Sequence, residues 1–256
     1  MHEYAFLCKE LEIMQAVWAG YGDSARLIAL PDSGEEAVRG VPWGTPDLLG
    51  TPAYWAVRCQ WSQESMPTFS CGGSTLVEEV GFCLLGGYSV TFEANMAAYL
   101  WLRDHGVFDL QVEVSVEDIL RLLSQPLIVR GRPRRYRFPN QRAQRIWAMR
   151  HRMETWPPDT SSARTLRDDL MTFDGIGPKT ASWIVRNHLD SDEVAIIDVH
   201  VLRACQQLRL FPEEISLPRD YATLEERFLD FAKAINVRSS LLDAVMWAET
   251  RAAVSR

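Results

Sequence analysis

A chain of 256 residues, 47% hydrophobic and 10% aromatic, has the length and apolar content for one large domain or two small ones sharing a core, which excludes a disordered tail. No apolar run approaches the roughly 18 to 20 residues that cross a bilayer, and Met1-His2-Glu3-Tyr4 offers no basic flank to an apolar signal segment, so a cytoplasmic protein without a membrane partner is expected. The net charge of -7 argues weakly against a nucleic-acid partner, but it averages two unlike regions.

Residues 1–70 carry four basic and nine acidic side chains. Between Arg130 and Arg152 lie nine arginines, and Glu154 is the first acid after them. Arginine makes up 24 of the 27 basic residues, and its planar five-donor fork matches phosphate geometry. The run is either a solvated face or the footprint of a polyanion, with Arg132, Arg134, Arg135 and Arg142 as backbone-binding candidates. The five cysteines (Cys8, Cys59, Cys71, Cys83 and Cys205) are odd in number and form no Cys-x-x-Cys pair, which argues against disulfides and a cysteine metal site. The five histidines are scattered.

In chain order, residues 1–70 read as an irregular N-terminal region with one amphipathic segment, Leu11 to Trp18. Short strands fit at Ala25–Leu30 and Tyr54–Cys59, between turn signals at Pro31-Asp32-Ser33-Gly34, Pro42-Trp43-Gly44 and Thr45-Pro46. From Thr75 the pattern becomes helical. Leu76, Val80, Cys83 and Leu84 mark one face of a helix stopped by Gly86-Gly87, and a second runs from Phe92 to Asp104. Ser115 to Asp118 resembles a capping box for a helix through Leu123, ended by Pro126. Gly131, Pro133 and Pro139 put the start of the arginine run in a loop. A helix then follows from Gln141 to Met153, with Arg142, Arg145 and Arg150 on it and Ile146 and Met149 inward. Further helices are expected at 163–173, from 178 onward, from Asp198 to Leu208, at Tyr221–Ile235 and at Ser240–Ala252.

The most informative stretch is Phe173-Asp174-Gly175-Ile176-Gly177-Pro178-Lys179-Thr180, which joins two amphipathic helices over about 163–189. The glycines permit a sharp bend, Ile176 plugs the gap between helices, and Pro178 suits a first helical turn. Free amides at that helix start attract a phosphate oxygen, directly or through a monovalent cation held by the carbonyls of Gly175 and Gly177. Lys179 is one of three lysines and stands where the helix dipole opposes a cation by roughly 0.3 to 1 kcal/mol. Nineteen residues on, Ala195-Ile196-Ile197-Asp198 runs into another helix, and Asp198 reads as its N-cap.

This hairpin, its lysine and the aspartate resemble the helix-hairpin-helix base-excision DNA glycosylases. Gly175 to Asn187 and Ala195 to Arg203 look closest to the prokaryotic 8-oxoguanine DNA glycosylase/AP lyase branch. Val80 to Leu85 and Tyr136 to Arg142 extend the likeness over roughly residues 75–256. The resemblance implies a mainly α, two-part fold over residues 71–256, preceded by the irregular region, whose role is open and which could bind a protein partner. It also implies a monomer on double-stranded DNA in the nucleoid, with a modified purine flipped out and excised.

Lys179 then matches the nucleophile that forms a Schiff base with the sugar, and Asp198 matches the carboxylate that stabilises the developing positive charge. Gly175, Ile176, Gly177 and Thr180 take the backbone-binding role. No cofactor is expected, and since no cysteine follows Cys205 no iron–sulfur cluster is expected either. Tyr88 stands where the family often places an asparagine or glutamine, and is either a wedge or a core aromatic. Phe82, Trp183 and Trp247, like Trp61, either stack on an extruded base or pack in the core. Other readings are a glycosylase for a deliberately modified base and a non-catalytic clamp, which needs the glycines but not Lys179 with Asp198.

Overall fold

The structure, a computed structural model, describes residues 15–19, 25–62, 75–87 and 89–254, with the backbone alone at 252–254. The chain folds as two compact units, one built from residues 1–67 and 192–256, the other from 68–191. The boundary expected at residue 70 lies outside the described residues. The described part of the acidic N-terminal region packs with the C-terminal quarter of the chain.

In the first unit, strands β1 (Gln15–Ala19) and β2 (Arg26–Leu30) form an antiparallel hairpin, and β3 (Glu36–Val38) pairs with β4 (Val41–Pro42). Four helices complete it: α1 (Pro52–Ser62), α8 (Val199–Gln207), α9 (Tyr221–Ala234) and α10 (Ser239–Val254). Trp43, Trp55, Cys59, Cys205, Phe228, Phe231 and Met246 are buried in one core. Two expectations change here. The part of the amphipathic segment that is described, from Gln15, is a strand with Val17 turned inward and Trp18 exposed. Tyr54–Cys59 is helical: Thr51 Oγ1 accepts the Tyr54 N–H at 3.1 Å, Pro52 opens the helix, and Ala53, Trp55, Ala56, Val57 and Cys59 are all buried. A helix covered on most sides loses the periodic polar face that would have identified it.

The second unit holds α2 (Leu76–Leu85), α3 (Phe92–Asp104), α4 (Val116–Ser124), β5 (Pro126–Val129), β6 (Arg132–Arg135), α5 (Pro139–Met153), α6 (Ala163–Leu170) and α7 (Pro178–Leu189). Its helix starts are locally encoded. Thr75 with Glu78 and Ser115 with Asp118 form reciprocal capping boxes, and Thr91 and Ser162 cap α3 and α6. Each cap is worth about 1 kcal/mol. Tyr99, Leu102, Ile119, Leu123, Ile146, Met149, Leu166 and Leu170 are fully buried.

The arginine segment expected as a loop is a β-hairpin, with Val129 paired to Arg132 and Pro126 to Arg135. Its two-residue turn, Arg130-Gly131, has φ of 50° and 72°, the handedness that a tight hairpin demands. Pro133 is tolerated because the hairpin has only two strands, leaving each with a free edge. Among the described residues, no helix is long and apolar enough to cross a membrane.

Candidate active site

Helix α6 ends at Leu170 and the chain turns through Phe173 to Gly177 before α7. The Ile176 N–H bonds to the Phe173 carbonyl at 3.1 Å, and Ile176 itself is buried, so the plug expected between the helices is in place. Gly175 has φ of 88°, and a β-carbon there would lie 2.8 Å from the Arg145 guanidinium carbon. Any side chain at 175 would therefore be strained and would displace the arginine that braces the turn. Arg145, on α5, pairs with Asp174 at 3.0 Å.

Gly177 caps α7 and its carbonyl accepts the Ala181 N–H at 2.9 Å, which leaves that oxygen a second lone pair; a monovalent cation at this turn would be held by the carbonyls of Gly175 and Gly177. The amides of Lys179 and Thr180 have no carbonyl one turn back to bond. Lys179 is exposed in the first turn of α7.

Lys179 borders a cavity of about 420 Å³ within the second unit. Phe82, Phe92 and Trp183 form its aromatic walls, and Asn95 and Arg142 are its buried polar groups. The sequence placed Arg142 among the residues tracking the DNA backbone. At 8% exposure it cannot lie on an outer face, and it lines this cavity instead. Arg150 is also buried, its guanidinium donating to the carbonyls of Val107, Asp109 and Val112. Both changes have one cause: Arg142, Ile146, Met149 and Arg150 follow the helical repeat and share the inward face of α5.

Arg132, Arg134 and Arg135 are exposed, and with Arg130 and Arg137 they surround a second cleft in which Arg130 pairs with Glu93. Beside it Phe138, at the N-cap of α5, is 45% exposed in a left-handed conformation (φ 64°, ψ 44°), with the Arg137 guanidinium 5.1 Å from its ring centre. An exposed aromatic held in strained backbone at a basic surface is a feature the sequence reading missed. Its signal was the Arg-Phe-Pro run. Tyr88, expected as wedge or core aromatic, lies outside the described residues.

In the first unit Asp198 caps α8, its Oδ1 accepting the N–H groups of His200 and Val201 at 2.8 and 2.9 Å. Three buried side chains fix the approach to it. Glu225 Oε1 accepts the Ala195 N–H at 2.9 Å, Asp243 Oδ2 the Ile196 N–H at 3.2 Å, and the Tyr221 hydroxyl the Ile197 N–H at 3.2 Å. Sequence reasoning missed this support, because the groups come from α9 and α10 and pair with backbone. Trp247, a candidate for the base pocket, packs edge-on to His200 at 6.2 Å, with Arg251 4.8 Å from its ring centre. Among the described residues no group of three His, Cys, Asp or Glu side chains is placed to hold a metal ion.

A glycine turn between two helices, an open helix start and a lysine beside an aromatic-walled cavity define a helix-hairpin-helix protein of the DNA glycosylase class. Residues 70–237 match the helix-hairpin-helix family described as 8-oxoguanine DNA glycosylase. The chain belongs to this family and is a base-excision DNA glycosylase/AP lyase acting on 8-oxoguanine. Two solved structures, the 8-oxoguanine DNA glycosylases of Thermotoga maritima and Methanocaldococcus jannaschii, are each 25% identical to it. The first covers 68% of this chain and 78% of its own with a TM-score of 0.52, the second 68% and 77% with 0.50. A third, the M. jannaschii 8-oxoguanine glycosylase/lyase in complex with a 15mer DNA containing 8-oxoguanine, shares the fold at 24% identity, a TM-score of 0.51 and coverage of 69% and 81%. Among curated protein sequences none matches.

Proposed function

We propose that Lys179 carries out the excision and the strand cleavage, with Asp198 as its carboxylate partner. The observation that supports this is the placement of Lys179, exposed at a helix start whose dipole opposes it and bordering a cavity that admits a base. Its Nζ attacks C1′ of the extruded nucleotide, the glycosidic electron pair leaves with the base, and a proton follows to the departing nitrogen. Ring opening gives the imine. Loss of a C2′ proton then expels the 3′ phosphate. Asp198, held by two backbone amides, offers a fixed negative charge to the sugar as positive charge develops.

The amides of Lys179 and Thr180 receive a phosphate at the Gly175-Ile176-Gly177 turn, while Arg132, Arg134 and Arg135 add sequence-independent affinity. Phe138, exposed and fixed by its backbone, fills the gap left in the duplex. The protein acts as a monomer on chromosomal DNA in the cytoplasm. In single-turnover assays, 8-oxoguanine opposite cytosine is excised at least about tenfold faster than guanine or uracil in the same duplex, because one hydrogen bond in a dry pocket discriminates by about 1 to 3 kcal/mol. Equal rates on all three would remove the substrate assignment.

A further inference from the structure

The cavity beside Lys179 holds a charge that the lysine chemistry does not use. Arg142 is 8% exposed, and among the described residues no carboxylate acts on it; the Tyr136 phenol is its one attractive neighbour and Arg145 repels it. Its Nε has no hydrogen-bond partner. Burial pulls the guanidinium below its ordinary value, with Arg145 adding to the effect.

The same helix shows the alternative. Arg150, also buried, is satisfied by three backbone carbonyls and acts as a structural tie. Arg142 receives no such set, and a buried cation left in that state costs several kcal/mol unless something else meets it.

A second polar group in the same wall is also incomplete. Asn95, 6% exposed, gives its Nδ2 to the Phe82 carbonyl at 3.1 Å, and its Oδ1 has no donor. Two consecutive glycines bring these groups close. A β-carbon on Gly86 would lie 3.1 Å from Asn95 Nδ2, and one on Gly87, where φ is 122°, 3.1 Å from an Arg142 terminal nitrogen. A phosphate would meet the charge but has no use for the faces of Phe82, Phe92 and Trp183. A planar, carbonyl-bearing base uses both.

We propose that Arg142 is a specificity-determining residue of this cavity, donating guanidinium hydrogens to a carbonyl on the edge of the oxidised purine that Lys179 releases. The proposal rests on the reading of Lys179 as nucleophile.

The test compares single-turnover excision from an 8-oxoguanine–cytosine duplex with cleavage of a duplex already carrying an abasic site, which needs the lysine but no base. For Arg142→Gln, base excision falls about 10- to 150-fold while abasic-site cleavage stays within about threefold. Arg142→Lys keeps the charge without the fork and shows the same split, about tenfold, should the glutamine variant fail to fold. Equal loss of both activities in both variants would overturn the proposal, since the residue would then serve the fold or the lysine. Unchanged excision would overturn it too, as would a loss that disappears when the base opposite the lesion is changed. Failure of the parent reading has its own signature, a Lys179→Ala variant that still cleaves the abasic-site duplex, and takes the proposal with it.

Discussion

Lys179 and Asp198 are put in place by opposite means. Lys179 is positioned by its own neighbourhood: Gly175, Ile176, Gly177 and Pro178 make the turn, start the helix and leave the amine in its first turn, within nine residues of chain. Asp198 sits at the end of a buried extended segment whose successive amides are held by Glu225, Asp243 and Tyr221, which lie 23 to 45 residues further along the chain. Placement of the lysine is thus a local property and placement of the aspartate a tertiary one. Substitution of the exposed lysine itself should act on chemistry alone, whereas substitutions behind the aspartate should act on chemistry and stability together.

The largest effect breaks the local half. Lys179→Ala abolishes the borohydride-trapped protein–DNA adduct and strand cleavage while leaving duplex binding within a few-fold; a trapped adduct in this variant would remove the lysine from its role. Next, Asp198→Asn slows the chemical step by about ten- to a thousand-fold in single-turnover kinetics, with little change in melting temperature because asparagine also caps helices. Glu225→Ala tests the tertiary half. Leaving the Ala195 N–H buried without its acceptor costs about 1 to 3 kcal/mol in denaturant unfolding and slows excision, and Glu225→Gln, which retains an acceptor oxygen, restores most of the rate. A rate unchanged by Glu225→Ala would show that Asp198 needs no such support. The smallest effect belongs to neither half: replacing Arg132, Arg134 and Arg135 with glutamine flattens the slope of log affinity against log salt by about 2 to 3 and weakens damaged and undamaged duplexes alike.

The same division explains what could be read in advance. The hairpin, the capped start of α4, the proline start of α7 and the N-cap at Asp198 were legible because their signals are short-range: a turn glycine, a proline, a capping side chain two or three residues from its amide. Helix α1 was misread as a strand because its burial on most sides erased its periodicity. Arg142 was assigned to an outer face because composition cannot say which arginines of a basic run turn inward. That follows from the packing of α5, where Arg142 and Arg150 fall in line with Ile146 and Met149. The β5–β6 hairpin hid behind Gly131 and Pro133, which break helices and two-stranded ribbons unequally. Glu225, Asp243 and Tyr221 carried no motif because their partners are amides.

The buried thiols have a consequence for where such a protein can work. Cys59 and Cys205 have no exposed surface, and burial pushes both thiols above their ordinary value. Peroxide attacks the thiolate and needs access to it, and neither sulfur offers either. Peroxide that accompanies guanine oxidation therefore leaves Cys59 and Cys205 in their reduced form, and the core positions they fill in the unit that carries Asp198 stay apolar.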